Sequence, residues 1–119
     1  MKERYLLVDD SEEFLASATR LLESQGVDIV GSAKSSQEAL DLAARLEPDV
    51  AVVDIELAGE DGIALTHQLA KQVPSTRIVL ISAYEREDLD DLLSDSRAVG
   101  FLPKKALGAE AIADLIRSA

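Results

Sequence analysis

The chain has 119 residues, 47% hydrophobic and 29% charged, and its 12 Lys+Arg against 23 Asp+Glu leave a formal net charge of −11. Single cores usually form from roughly 100–150 residues, so one domain spanning 1–119 is expected and disorder is excluded as the default. The acidic excess argues against a nucleic-acid-binding face or an anionic membrane surface, and the absence of Cys excludes disulfides, a thiolate metal site and a Cys nucleophile.

In chain order, residues 5–8 form a short apolar run that reads as a buried strand. Phe14, Leu15, Ala18, Leu21 and Leu22 then recur at three- and four-residue spacing, which predicts a helix ending near Gly26. Residues 27–30 alternate apolar residues with Asp28 and read as a strand nearer the sheet edge. A second helical stripe, Ala39, Leu40, Ala43 and Leu46, stops at Pro48. Residues 50–53 predict a third buried strand, and Leu65, Leu69 and Val73 a third helix closed by Pro74-Ser75. Residues 78–81 and 99–102 read as the last two strands. The intervening segment 87–95, with Leu89, Leu92 and Leu93, and the final segment 109–118, with Ile112, Leu115 and Ile116, read as helices.

Strict alternation of strand and helix with short connections implies an α/β fold, a parallel sheet covered by helices on both faces. No run of about 18 apolar residues occurs, so a soluble, cytoplasmic protein is expected. Ligand sites in such sheets lie at the carboxyl ends of the strands. Those ends carry Asp9 and Asp10 after the first strand, Asp54 after the third, Ser82 after the fourth and Lys104 just past the fifth.

Carboxylates crowded together repel, and either take up a proton or recruit a cation. Hard oxygen donors without His or Cys suit Mg²⁺. A carboxylate such as Asp54 can attack phosphorus and form an aspartyl phosphate, while Lys104 supplies positive charge and Ser82 a hydroxyl for the phosphoryl oxygens. Each residue also has a plainer reading. Asp10 with Glu13 three residues on could be a helix N-cap with its capping-box partner, Asp54 an exposed loop carboxylate, Ser82 a cap and Lys104 a solvated lysine. None of these requires all four to fall at strand ends. His67 reads as exposed, and the acidic run Glu85, Glu87, Asp88, Asp90 and Asp91 as a solvated helix face.

Asp9-Asp10, Asp54 followed by Leu57 and Asp61-Gly62, Ser82-Ala83, and Gly100-Phe101 leading to Lys104 together resemble the receiver domain of bacterial two-component response regulators. The resemblance covers essentially the whole chain and implies a flavodoxin-like, doubly wound, five-stranded parallel sheet of order 2-1-3-4-5. It implies that Asp54 is the phosphoacceptor, supplied by a sensor histidine kinase. Mg²⁺ would be held by Asp10, Asp54 and the backbone carbonyl of Glu56, and by Asp9 through water. It further implies that Lys104 pairs with the phosphorylated carboxylate, and that Ser82 and Phe101 form a switch pair that alters the face made by the fourth helix, fifth strand and fifth helix. A homodimer could form across that face, with no nucleic-acid or membrane contact by this domain. The segment 100–107 is similar to receivers that precede a helix-turn-helix output domain, which implies transcription control. Such a domain catalyses only its own phosphorylation and dephosphorylation.

Three features depart from the usual pattern, one being that Arg97-Ala98-Val99-Gly100 is less Gly-rich than usual before the fifth strand. Ala58 stands where a Pro is common, and Lys105 where many members have a Pro in a cis bond; a trans bond is expected between Lys104 and Lys105, since a non-proline cis bond costs about 2.5–4 kcal/mol. Glu56 and Tyr84 are expected to flank the acyl phosphate and slow its hydrolysis. Among the alternatives, a haloacid-dehalogenase-like phosphatase fragment would match Asp54-Ile55-Glu56, but the chain is short for that core, and that family's Asp follows the first strand. A flavin module would need a phosphate loop where Asp9-Asp10-Ser11-Glu12-Glu13 would repel one. A receiver-like domain used only for protein contacts would not need the acidic residues together with Lys104.

Overall fold

The computed structural model describes residues 2–83, 91, 94 and 96–119. In chain order these form β1 (Arg4–Val8), α1 (Glu12–Ser24), β2 (Asp28–Ala33), α2 (Ser36–Leu46), β3 (Val50–Asp54), α3 (Gly62–Gln72), β4 (Arg77–Ser82), β5 (Gly100–Pro103), a 3-10 turn (Lys104–Ala106) and a C-terminal helix (Ala109–Ser118). The predicted helix over 87–95 and most of the acidic run around it lie outside the described residues, apart from Asp91 and Ser94, which are helical.

The five strands form one sheet of order β2-β1-β3-β4-β5 with every pair parallel. The three central strands are buried on both faces except at Arg4 and Arg77, as uninterrupted apolar sequence between two helical layers demands. β2, with the polar alternation read from Asp28, is an edge strand, and it runs on to Ala33, three residues beyond the expected end. β5 starts one residue later than expected, at Gly100.

Side chains alternate across the sheet with period two, and two cores result. On one face Leu6, Val8, Ala51, Val53, Ile78 and Leu80 meet α2 and α3 through Ala39, Ala43, Leu65 and Leu69. On the other, Tyr5, Leu7, Val50, Val52, Val79 and Ile81 meet α1 and the C-terminal helix through Leu15, Ala18, Leu22 and Ile112. Leu21, read as part of the α1 stripe, is instead exposed at 40%. At about 100° per residue it falls to one side of the arc defined by Leu15, Ala18 and Leu22, on the same flank as Phe14.

The helix starts are capped by short polar side chains. Ser11 caps α1, its Oγ accepting from the Phe14 N–H at 3.2 Å. The cap that Asp10 could have supplied is therefore provided one residue further on, which leaves the Asp10 carboxylate unengaged in capping. Ser35 caps α2 by accepting from the Glu38 N–H, and Asp61 caps α3 by accepting from the Ile63 N–H at 2.8 Å. No described helix is long and apolar enough to cross a membrane. No peptide bond among the described residues is cis, which agrees with the trans expectation at Lys104-Lys105.

Candidate functional site

Strand register brings the acidic residues together. Val8 pairs with Val53, so the next residues, Asp9 just past β1 and Asp54 at the end of β3, emerge side by side at the carboxyl edge of the sheet. Asp54 pairs with Ile81, placing Ser82 one step beyond it on β4, and Ser82 pairs with Pro103, which delivers Lys104 one residue past β5. The period-two pattern then divides these groups between the two faces. Asp9 follows Leu7 and Asp54 follows Val52 on the side covered by α1 and the C-terminal helix; Ser82 follows Leu80 on the side covered by α2 and α3, where Phe101 also packs, half-buried.

Asp9, Asp10 and Asp54 each offer a carboxylate oxygen, and these oxygens all lie within 4.8 Å of one another. Asp9 and Asp54 are buried while Asp10 is exposed. The Lys104 ammonium sits 2.6 Å from Asp9 Oδ2 and 3.3 Å from Asp54 Oδ2. Asp9 Oδ1 accepts from the Ser11 N–H at 2.9 Å, and Asp54 Oδ1 accepts from the Glu56 N–H at 3.0 Å. Burial, and then the charge of Asp9, push the Asp54 carboxyl up from 3.8 to about 6, against the opposing pull of Lys104 and the Glu56 N–H. Burial would lower the Lys104 ammonium, but its close contacts and charge interactions with Asp9 and Asp54 outweigh this and raise it.

This donor set fits a hard divalent cation. Among the described residues, Asp9 Oδ2 is a buried oxygen with no directed hydrogen bond, the Lys104 ammonium beside it approaching as an ion pair only. All the ligands on offer are oxygens, with no His or Cys among them.

Glu56 and Ser82 meet directly: the Ser82 hydroxyl donates to Glu56 Oε1 at 2.5 Å. This bond holds the Glu56 side chain in toward the end of β4. The loop from Asp54 to α3 is fixed by a close backbone approach. A Cβ on Gly62 would lie 2.1 Å from the Asp54 carbonyl oxygen, so only Gly lets the start of α3 abut the end of β3 there. Further along the same loop, Glu60 Oε1 accepts from the Ser36 N–H at 2.9 Å, tying the loop to the start of α2.

The model for the response regulator receiver domain matches residues 5–117. The chain belongs to the receiver domain family. It is 32% identical over 98% of its length to the transcriptional regulatory protein LiaR of Bacillus subtilis, of which it spans 55%. It is 39% identical over 74% of its length to a protein-glutamate methylesterase/protein-glutamine glutaminase of Halobacterium salinarum, of which it spans 25%. The crystal structure of the signal receiver domain of a modulated diguanylate cyclase from Desulfovibrio desulfuricans superposes with a TM-score of 0.84 at 28% identity, covering 100% of this chain and 94% of that one. The receiver thus spans about half the length of one curated relative and a quarter of another.

In this receiver the structure brings together Asp9, Asp10, Asp54 and Lys104, and separately Ser82 and Glu56. Asp54 is the last residue of β3 and 3% exposed, not a loop carboxylate. Ser82 ends β4 and caps no described helix. His67 is exposed on α3, as read from the sequence. Tyr84 lies outside the described residues. One site neighbour went unnoticed in the sequence: the Phe14 ring on α1, whose centroid is 4.4 Å from the Lys104 ammonium. It had been read as one more member of the helical stripe, and nothing in its spacing marks it as different.

Proposed function

We propose that this receiver accepts a phosphoryl group on Asp54 from the phosphohistidine of a sensor kinase. The observation that carries this reading is the Lys104 ammonium set between the carboxylates of Asp9 and Asp54 at the mouth of the sheet. A carboxylate oxygen of Asp54 attacks phosphorus, the P–N bond to the kinase imidazole breaks as the new P–O bond forms, and the imidazole leaves with a proton. Asp10, Asp54 and the Glu56 carbonyl, with Asp9 through water, would hold Mg²⁺, which supplies charge neutralisation for the phosphoryl oxygens. Lys104 exchanges its carboxylate partners for a phosphoryl oxygen and stabilises the charge there. Ser82 turns its hydroxyl from Glu56 to another phosphoryl oxygen, and Phe101, on the same face of the sheet, moves into the space given up.

The product is a shifted balance between two conformations rather than a released molecule. We assign the receiver no enzymatic activity beyond its own phosphorylation and dephosphorylation. We place it in the cytoplasm as a single domain over 1–119, with the sensor kinase as its first partner and a second copy of itself across the altered face as another. LiaR, a transcriptional regulatory protein, favours control of transcription as the output.

Intact mass after incubation with acetyl phosphate and Mg²⁺ tests the reading. A gain of one phosphoryl group in the wild type, lost in Asp54→Asn, is expected. No gain in the wild type, or an undiminished gain in Asp54→Asn, would overturn it.

A further inference from the structure

Lys104 reaches its site from the end of β5 on a flexible four-carbon stem that, left to itself, would sample many rotamers in water. Two of its neighbours are the carboxylates of Asp9 and Asp54 at 2.6 and 3.3 Å. The third is the Phe14 ring, 4.4 Å from the ammonium to the ring centroid. That distance is well inside the range of roughly 6 Å over which the negative face of an aromatic ring attracts a cation. The Lys104 side chain is 20% exposed, so the ring acts on a partly desolvated charge, where the attraction is stronger than at an open surface.

The ring is itself held in place. The Phe14 N–H donates to the Ser11 cap in the first turn of α1, while the Ser11 N–H donates to Asp9 Oδ1. One short segment after β1 therefore fixes both the carboxylate and the ring that bracket the ammonium. Phe14 also packs, half-buried, at the rim of the core between the sheet and α1. A β-branched or aliphatic residue there could fill the rim equally well, but it would present no negative face to the charge.

We infer that Phe14 is a positioning residue for Lys104: its ring keeps the ammonium over Asp9 and Asp54, so that the charge is already in place when the phosphoryl group arrives. The inference rests on the phosphoacceptor reading of Asp54. Phe14 touches no reacting atom and acts only through Lys104. Fewer lysine rotamers need to be lost on reaching the transition state, and phosphorylation is faster for it.

The test uses Phe14→Leu, which keeps an apolar residue of good helix propensity, and Phe14→Tyr, which keeps the π face. Phosphorylation by acetyl phosphate in Mg²⁺, followed by intact mass, should be about fivefold slower in Phe14→Leu, or about 1 kcal/mol of barrier, and near the wild-type rate in Phe14→Tyr. In a Lys104→Ala background Phe14→Leu should change the rate by less than about twofold, because the group it positions is gone. An equal loss in both backgrounds would show that Phe14 merely packs, and would overturn the inference, as would a wild-type rate in Phe14→Leu. A second readout needs no phosphorylation. The Lys104 ε-methylene resonance, displaced upfield by the ring current, should move downfield in Phe14→Leu and stay in Phe14→Tyr; no movement would overturn the contact itself. Failure of the wild type to gain a phosphoryl group would overturn the phosphoacceptor reading, and the kinetic role of Phe14 with it, whereas the resonance shift would still decide whether the ring holds the ammonium.

Discussion

Replacing Asp54 by Asn should make the metal-free protein more stable at neutral pH, although it removes the group on which the proposed function depends. Asp54 is 3% exposed and shares a 4.8 Å cluster with two other carboxylates. Its carboxyl is raised from 3.8 to about 6, by burial first and by the charge of Asp9 second. A native carboxyl that holds its proton more tightly than the unfolded chain does makes stability fall as pH rises between those two values, and at neutral pH the whole loss is present. At about 1.36 kcal/mol per pH unit, the anion is disfavoured by about 3 kcal/mol, and screening by solvent at the open mouth of the site reduces this to about 1–2 kcal/mol. Asn keeps the acceptor for the Glu56 N–H, now 3.0 Å from Asp54 Oδ1, and Lys104 keeps Asp9 at 2.6 Å. For a domain of this size the gain corresponds to a Tm rise of roughly 4–8 °C. Thermal melts followed by circular dichroism in chelator, at neutral pH and at about pH 4, would measure it, and the rise should nearly vanish at the lower pH. A lower Tm for Asp54→Asn at neutral pH, or a rise of equal size at both, would refute the reasoning.

Mg²⁺ should bind the unphosphorylated protein weakly and Asp10→Ala should abolish the binding, since Asp10 is the exposed carboxylate of the cluster; titration calorimetry that finds equal affinity in the variant would remove Asp10 from the ligand set. Glu56→Asn should shorten the lifetime of the phosphorylated state by up to roughly tenfold, or about 1.4 kcal/mol of barrier, because the longer side chain crowds the approach of water. Following phosphate release from purified phosphoprotein in Mg²⁺ would check this, an equal or longer half-life counting against it. Gly62→Ala should cost about 2–3 kcal/mol in urea unfolding, since its Cβ would fall 2.1 Å from the Asp54 carbonyl and the start of α3 must move away. An unchanged midpoint would mean that the loop yields without strain.

The architecture was legible because each level of the sequence points the same way. Apolar runs at 5–8, 50–53 and 78–81 lack the alternation of a half-exposed strand, and so must lie between two helical layers, where β1, β3 and β4 are found. The carboxyl-end residues follow from that reading without further information. Leu21 was misplaced, and the α1 cap left open, for a local reason. A spacing of three or four marks a broad arc of a helix without marking its edge, and Asp10 and Ser11 are both competent caps, so only the docked angle of α1 selects between them.

By itself the sequence determined which residue types stand at the carboxyl ends of the strands, and hence a site of carboxylates, a hydroxyl and an ammonium, because the succession of elements and their periodicity are local properties of the chain. The tertiary structure alone decided what those groups meet. Register across β1 and β3 sets Asp9 beside Asp54, and the turn after β5 swings Lys104 onto both carboxylates and under the ring of Phe14. Glu56 bends back to accept from Ser82 in the same way. These pairings join residues separated by many positions along the chain, and their strength depends on distances of a few ångströms and on the exclusion of water. Neither quantity has a counterpart in spacing or composition.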